Sequence, residues 1–252
     1  MSRIKNKSHF IRPIIAGAVT LGITALLILV CGNANGNRSL DEFEPMSFTK
    51  AKACSEDGEC LSDVVLATGQ IVKNTKDAFY NYLSDHTDEE LSKLTICFDS
   101  PGGSNSSGYE MGQFIAKKGI STCVAEYYLD MKGNRIAPAL ANGDKTLCNS
   151  MCPYIFAAGE ERLLLTSKSV LGFHSTKESC VFCGFTVAEY ESPETINKIA
   201  LLFQAYDMLN SDRKPVVNTE QLLKRVNEIP SSTMKYMNKE TVDHYRFATG
   251  YF

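Results

Sequence analysis

The sequence contains no tryptophan, only four histidines, no low-complexity tract and no internal repeat. The chain as a whole has 44% hydrophobic and 22% charged residues, which is the composition of an ordinary globular protein. Outside the N-terminus, acidic residues outnumber basic ones. Residues 1–36 hold four of the 26 basic residues and none of the 29 acidic ones, so the rest has 22 basic against 29 acidic residues, a net charge of −7. Because phosphate binding draws on clustered Lys and Arg, nucleic acid is excluded as an expected partner.

Charge is absent from the stretch between Pro13 and Asn37. A basic start leads there into an apolar segment from Ile14 to Cys31, which is slightly short for a bilayer span and long for the core of a signal peptide. Residues 1–36 are therefore predicted to be either a signal peptide or a membrane anchor. Both alternatives leave the basic end in the cytoplasm and export the body, as a periplasmic or a membrane-anchored protein.

Eight of the nine cysteines lie outside the apolar segment, an even number in a compartment that permits disulfides. One pair brackets the polar loop SEDGE. Another pair stands four residues apart around a serine and is near enough to bridge if the turn is not regular helix, although helix packing is the alternative. These pairs are Cys54 with Cys60 and Cys148 with Cys152.

The remaining cysteines are interpreted differently. Cys180 and Cys183 form a CVFC motif that fits a disulfide or half of a zinc site. No second CxxC and no paired histidines lie at zinc-ligand spacing, so a disulfide is favoured and no metal is predicted. Cys97 and Cys123 fall in apolar, strand-like runs and are interpreted as buried thiols.

The apolar pattern divides the exported part into a polar linker over residues 37–60 and one domain over residues 61–252. In the domain, short apolar runs alternate with amphipathic stretches, which is typical of α/β architecture. Strands are predicted near residues 64–71, 94–98, 120–129, 162–165 and 170–173, and helices near 78–83, 106–118, 151–158, 193–210, 220–227 and 239–245.

The segment FDSPGGS, residues 98–104, places two adjacent glycines directly after a predicted strand. Glycines let the backbone turn with its N–H groups projecting outward, which suits an oxyanion hole. The structural alternative for Gly102 and Gly103 is a plain turn.

The segment CNSMC, residues 148–152, places Ser150 at the start of a predicted helix. A serine there is often only a helix cap, but it also suits an activated nucleophile. His174 ends a predicted strand 24 residues later and suits a general base, with a partly exposed structural histidine as the alternative.

Taken in order, these segments resemble the ClpP/crotonase superfamily, most closely Clp protease proteolytic subunits and periplasmic ClpP-like proteins. The matching elements are SPGG, a helix, NSM opening a helix that reads PYIFAAG, and a strand that ends in histidine, over about residues 64–175. The resemblance implies a β-α spiral domain that acts on peptide or protein substrates without a cofactor, and relatives often form rings. It makes Ser150 the nucleophile and His174 the base, and it assigns the oxyanion hole to Gly102 or Gly103 and to Met151.

The sequence departs from this family in two places. The stretch SSTMKYM, residues 231–237, corresponds to the one that carries the family's catalytic aspartate and has no carboxylate. Asp207, Asp212, Glu228, a serine or a backbone carbonyl is the expected substitute. An insertion over residues 176–192 directly follows the histidine and is expected to cover the site or to occupy a subunit contact.

The leading hypothesis is a serine peptidase, and the alternative is an inactive ClpP-like domain that binds peptides or acts as a scaffold. Crotonase-type chemistry on an acyl thioester is disfavoured because coenzyme A is expected in the cytoplasm. A Ser/Lys dyad with Lys168 or Lys177 as base is a further variant, but His174 fits the order of segments better.

Overall fold

The computed structural model describes residues 43–139, 145–175, 177–182, 185–191 and 193–251, with side chains outside residues 176–197. The predicted signal or anchor segment lies outside the described residues. No helix within the described ranges is long and apolar enough to cross a bilayer.

Seven strands form the main sheet, in the order β12-β7-β4-β3-β2-β1-β5. Strands β2, β3, β4, β7 and β12 run parallel, whereas β1 is antiparallel to β2 and β5 is antiparallel to β1. The bounds are β1 (Ser47–Cys54), β2 (Cys60–Thr68), β3 (Thr95–Asp99), β4 (Ser121–Ala125), β5 (Tyr127–Leu129), β7 (Arg162–Leu165) and β12 (Gly250–Tyr251).

Helices cover one face of this sheet, and the predicted α/β class is confirmed. Alternate residues of β2 point to opposite faces, so that Val65 and Ala67 join the helix-side core while Val64 and Leu66 join a second cluster. Burial on both faces explains why this strand reads as a continuous apolar run. The helices are α1 (Thr75–Leu83), α2 (Asp88–Leu91), α3 (Asn105–Lys118), α4 (Cys152–Phe156), α5 (Pro193–Leu209), α6 (Thr219–Asn227) and α7 (Lys239–His244).

A second sheet of three short strands has the order β11-β8-β6. The strands are β6 (Cys148–Asn149), β8 (Leu171–Phe173) and β11 (Lys235–Tyr236), with β6 parallel to β8 and β11 antiparallel to it. An isolated parallel bridge between Ser100 and Cys148 joins this sheet to the end of β3. The carboxyl ends of β3, β6 and β8 therefore meet at one edge.

The insertion after the histidine forms an antiparallel hairpin of β9 (Lys177–Phe182) and β10 (Phe185–Glu191). It is a separate unit of the fold, and the rest of the described chain forms the other unit. The hairpin's expected cover over the site stays a prediction.

Two sequence predictions about strands differ from the structure. Residues 47–54 belong to β1 and not to a linker, because their backbone pairs with β2 although the outward side chains are polar. The single strand predicted over residues 120–129 breaks at Glu126, whose N–H faces the carbonyl oxygens of both Cys54 and Leu165 at 3.0 Å. The chain turns there, and β5 pairs with β1.

A third difference concerns Cys97 and Cys123, which form a disulfide and are not thiols. The two residues are register partners on the parallel strands β3 and β4, so their side chains share one face of the sheet. Their Cα atoms lie 4.2 Å apart. Disulfides also join Cys54 to Cys60 and Cys148 to Cys152. The predicted bond between Cys180 and Cys183 lies outside the described residues.

Candidate active site

Ser150 lies in the turn between β6 and α4 with a left-handed backbone, φ 58°. This conformation costs a residue with a side chain about 1–2 kcal/mol and persists only where the surroundings impose it. Two hydrogen bonds hold the turn, because the N–H of Ser150 donates to the Gly172 carbonyl at 2.9 Å and the N–H of Asn149 donates to the Ser100 carbonyl at 3.0 Å. The turn is thus tied to both β8 and the end of β3.

His174 directly follows β8, and its imidazole meets the serine. Ser150 Oγ lies 2.8 Å from His174 Nε2. Both side chains are partly exposed, so water or a ligand has access to the pair. This is the separation at which a hydroxyl transfers its proton to a base.

The other imidazole nitrogen, Nδ1, lies 2.8 Å from the carbonyl oxygen of Ser175. A carbonyl only accepts hydrogen bonds, so this contact assigns the proton to Nδ1 and leaves Nε2 free to accept from Ser150. Ser175 is buried, and its own N–H donates to the Ile229 carbonyl at 3.0 Å. A fixed backbone carbonyl therefore stands where a catalytic triad has a carboxylate.

The three carboxylates considered from the sequence are not found at the imidazole. Asp207 pairs with Arg213 at 2.8 Å, and burial raises the pKa of Asp207 although the guanidinium opposes that shift. The N–H of Asp212 donates to the side chain of Asn210, and Glu228 caps the end of α6. Within the described residues no hydrogen bond joins any of the three to His174.

The segment aligned with the family's aspartate does lie beside the candidate base. Its residues Lys235 and Tyr236 form β11, which pairs with Phe173 and Gly172 of β8. The Tyr236 hydroxyl accepts a hydrogen bond at 3.4 Å from the side chain of Asn149, the neighbour of Ser150. This position thus supplies a contact to the turn that contains Ser150 and no carboxylate.

Gly102 and Gly103 follow the end of β3, where Gly102 approaches the serine and Gly103 approaches the backbone of Ile71. Gly102 has φ 91°, and a Cβ there would lie 2.6 Å from the Cβ of Ser150 and 3.1 Å from the backbone nitrogen of Met151. The N–H of Gly102 donates to Ser100 Oγ at 3.1 Å. Within the described residues, the N–H groups of Gly103 and Met151 make no hydrogen bond. Of the two glycines, only Gly102 therefore has its N–H occupied by a hydrogen bond within the described part of the chain.

Of the two lysines considered as alternative bases, the structure describes the side chain of one. Lys168 is paired with Glu126, whose pKa is lowered by hydrogen bonds from Lys168 and Thr166 against the effect of burial. The side chain of Lys177 lies outside the described part of the chain. The geometry thus favours His174 as the partner of Ser150.

Asp99, the last residue of β3, supports the site and was not identified from the sequence. Its buried carboxylate accepts from the N–H of Leu147 at 3.0 Å and from the N–H of Ala139 at 2.7 Å. It therefore holds the backbone of Leu147, directly before β6 and the turn that contains Ser150. Burial raises the pKa of Asp99, and the two hydrogen bonds oppose that rise. The only available signal was an acidic residue that ends an apolar strand.

Comparisons with known proteins find similar structures but no similar sequence family. No family model matches the sequence, and no curated protein matches it. The ClpP protease catalytic domain from Plasmodium falciparum is similar in structure, with 16% identity, 73% of this chain and 80% of that chain covered, and a TM-score of 0.42. A mutant of a membrane-bound stomatin-specific protease is similar at 13% identity, with 73% and 75% covered and a TM-score of 0.45. Both of these solved structures are described as proteases.

Gly102 lies so close to the turn that contains Ser150 that a side chain added at Gly102 is expected to clash with it. Gly102→Ala is expected to lower the melting temperature clearly more than Gly133→Ala, as measured by calorimetry. Gly133 is a matched control because it has nearly the same φ, 90°, but nothing lies within 4 Å of its Cβ position. Both variants carry the backbone strain, and only Gly102→Ala adds overlap with Asn149 and Ser150. Equal shifts would contradict the close approach.

The raised pKa of Asp99 predicts a pH-dependent contribution to stability. The folded protein retains this proton over a range above the ordinary value of 3.8 in which the unfolded chain has released it. The contribution of Asp99 to the free energy of unfolding is therefore expected to fall as the pH rises through that range. Urea unfolding of the wild type and of Asp99→Asn, which does not titrate, measures the difference.

The exposed Asp57 provides the control, since Asp57→Asn removes a carboxylate from a loop without backbone partners for its side chain. The difference between Asp57→Asn and the wild type is measured over the same pH range and subtracted from the difference for Asp99→Asn. A stability difference for Asp99→Asn that grows in favour of the wild type with rising pH would contradict the expected direction.

Proposed function

We propose that this chain is an exported serine hydrolase, a peptidase that uses Ser150 as nucleophile and His174 as general base. The observation that carries the proposal is the 2.8 Å separation of Ser150 Oγ and His174 Nε2. It is supported by the Ser175 carbonyl at Nδ1, which sets the tautomer that such a base needs.

The proposed reaction has two stages. Ser150 Oγ attacks a peptide carbonyl carbon, its proton passes to His174 Nε2, and the resulting oxyanion accepts hydrogen bonds from the N–H groups of Gly103 and Met151. The proton on Nε2 then goes to the leaving amine as the C–N bond breaks. His174 Nε2 next takes a proton from a water molecule, whose oxygen attacks the acyl carbon, and it gives that proton to Ser150 Oγ as the ester C–O bond breaks.

Export is proposed on two grounds. The basic and apolar pattern of residues 1–36 is typical of a translocated chain, and the described domain contains three disulfides. The domain would then work in the periplasm, free or tethered to the membrane by a retained N-terminal segment. A peptide or protein is the proposed substrate, and assembly into a homo-oligomer stays a prediction.

A second candidate is an inactive domain that binds peptides or serves as a scaffold. The carbonyl in place of a carboxylate at His174 Nδ1 favours it, because a neutral group stabilises an imidazolium less than a charged one. The two functions separate in one measurement. An inactive domain would bind peptide equally well as wild type and as Ser150→Ala and would cleave none.

The proposal predicts covalent labelling of the purified full-length chain by a fluorophosphonate probe. Labelling is expected to be lost in Ser150→Ala, because Oγ is the attacked atom, and to fall at least about 100-fold in His174→Ala, which removes the base. Ser167→Ala, a change at an exposed serine, is expected to keep the wild-type rate. Labelling is followed by gel fluorescence, and the modified peptide is identified by mass spectrometry.

Unchanged labelling of Ser150→Ala would place the reactive group elsewhere. If the wild type binds peptide but is not labelled at any pH from 6 to 9, the result would contradict the hydrolase and support the inactive domain.

A further inference from the structure

The disulfide between Cys148 and Cys152 spans the nucleophile. Cys148 belongs to β6, Cys152 is the first residue of α4, and Ser150 lies midway between them. The two Cα atoms lie 5.1 Å apart, within the range that a disulfide bridges. The smallest covalent ring that contains the Ser150 backbone is therefore five residues long.

Neither cysteine is exposed to solvent in the folded domain. Thiol–disulfide exchange needs direct access of a thiolate to a sulfur atom, so the bond is protected once the domain has folded. A reversible switch in the folded protein would require accessible sulfur. The position of the bond thus indicates a permanent role in the site.

That role follows from the backbone of Ser150, which holds an unfavourable left-handed conformation. On its strand side the turn is held by two backbone hydrogen bonds, to Ser100 and to Gly172. On its helix side it continues into α4, which has only five residues, and so short a helix is marginal by itself. The disulfide joins the two sides and limits how far the turn can relax.

We propose that Cys148 and Cys152 are positioning residues, whose bond holds Ser150 Oγ against His174 Nε2. The inference rests on the proposed function of that pair. It follows that the nucleophile reaches its working geometry only in the oxidised chain, and that the enzyme gains activity where disulfides form.

Bond formation removes two electrons and two protons from the thiol pair. The proposed acceptor is the disulfide of a thiol oxidoreductase in the oxidising compartment, which is reduced to its dithiol. A chain retained in a reducing compartment would keep the thiols and a relaxed turn. The site would then be inactive toward peptides before export.

The experiment compares two paired variants of the full-length chain. Cys148→Ala/Cys152→Ala removes the bond at the nucleophile, and Cys54→Ala/Cys60→Ala removes a short-loop disulfide from the β1–β2 hairpin, which belongs to the other sheet. Two quantities are measured well below each variant's melting temperature. They are the rate of fluorophosphonate labelling and the hydrogen-exchange rate of the Ser150 amide, which donates to Gly172 in the wild type.

For the nucleophile pair we expect labelling at least about tenfold slower and amide exchange at least about tenfold faster than in the wild type. The hairpin pair is expected to stay within about twofold of the wild type in both. A merely structural disulfide would lower the melting temperature and leave both rates at the wild-type level. If the Cys148→Ala/Cys152→Ala variant does not fold, the same two rates are measured on Cys148→Val/Cys152→Ala, because valine restores apolar volume.

The inference would be overturned if the nucleophile pair variant kept a labelling rate within twofold of the wild type, or if its Ser150 amide exchanged at the wild-type rate. A wild type that is never labelled would refute the proposed function instead. In that case the amide exchange still decides whether the disulfide fixes the turn.

Discussion

The parallel register between β6 and β8 is the constraint on which the site depends. Asn149 lies opposite Gly172, so the residues that follow the two strands, Ser150 and His174, emerge at the same edge of the sheet. The hydrogen bond from the Ser150 N–H to the Gly172 carbonyl extends this ladder by one step beyond β6. A slip of the register would move the hydroxyl away from the imidazole, and the 2.8 Å contact would be lost.

The end of β3 lies at the same edge and contributes backbone groups there. Ser100 bridges to β6, and two residues later Gly102 lies close to the serine. Asp99 fixes the segment before β6 from the same strand. Strand β3 thus leads into the proposed oxyanion turn and also holds the segment before Ser150.

The carbonyl of Ser175 gives the site a distinct electrostatic character. In a triad the carboxylate fixes the tautomer of histidine and stabilises the imidazolium that forms. A carbonyl performs the first task through the hydrogen bond at Nδ1 and contributes only a dipole to the second. We therefore expect a base with the correct tautomer and a slower reaction than a complete triad supports.

The sequence predicted the fold class and the residues at the strand ends, because strand periodicity and the order of motifs are local signals. Ser150 and His174 were identified in this way, and so was the pairing of Cys54 with Cys60. The bond between Cys97 and Cys123 was not, since it depends on the register of β3 with β4 across 26 residues.

Other features had no readable signal at all. The group at His174 Nδ1 is a backbone carbonyl, and every residue carries one. Asp99 acts on N–H groups 40 and 48 residues away, at Ala139 and Leu147. Strand β1 has lysines on its outward side and resembles a linker until its partner β2 is known.

In the proposed reaction, Ser150, His174 and the N–H groups of Gly103 and Met151 converge on the carbonyl group of the substrate. A crystal structure of the full-length chain after reaction with a peptidyl phosphonate provides a direct test. We expect phosphorus bonded to Ser150 Oγ, with a phosphonate oxygen about 2.7–3.1 Å from the backbone nitrogens of both Gly103 and Met151. An adduct on another residue, or an adduct whose oxygens reach neither amide, would contradict it.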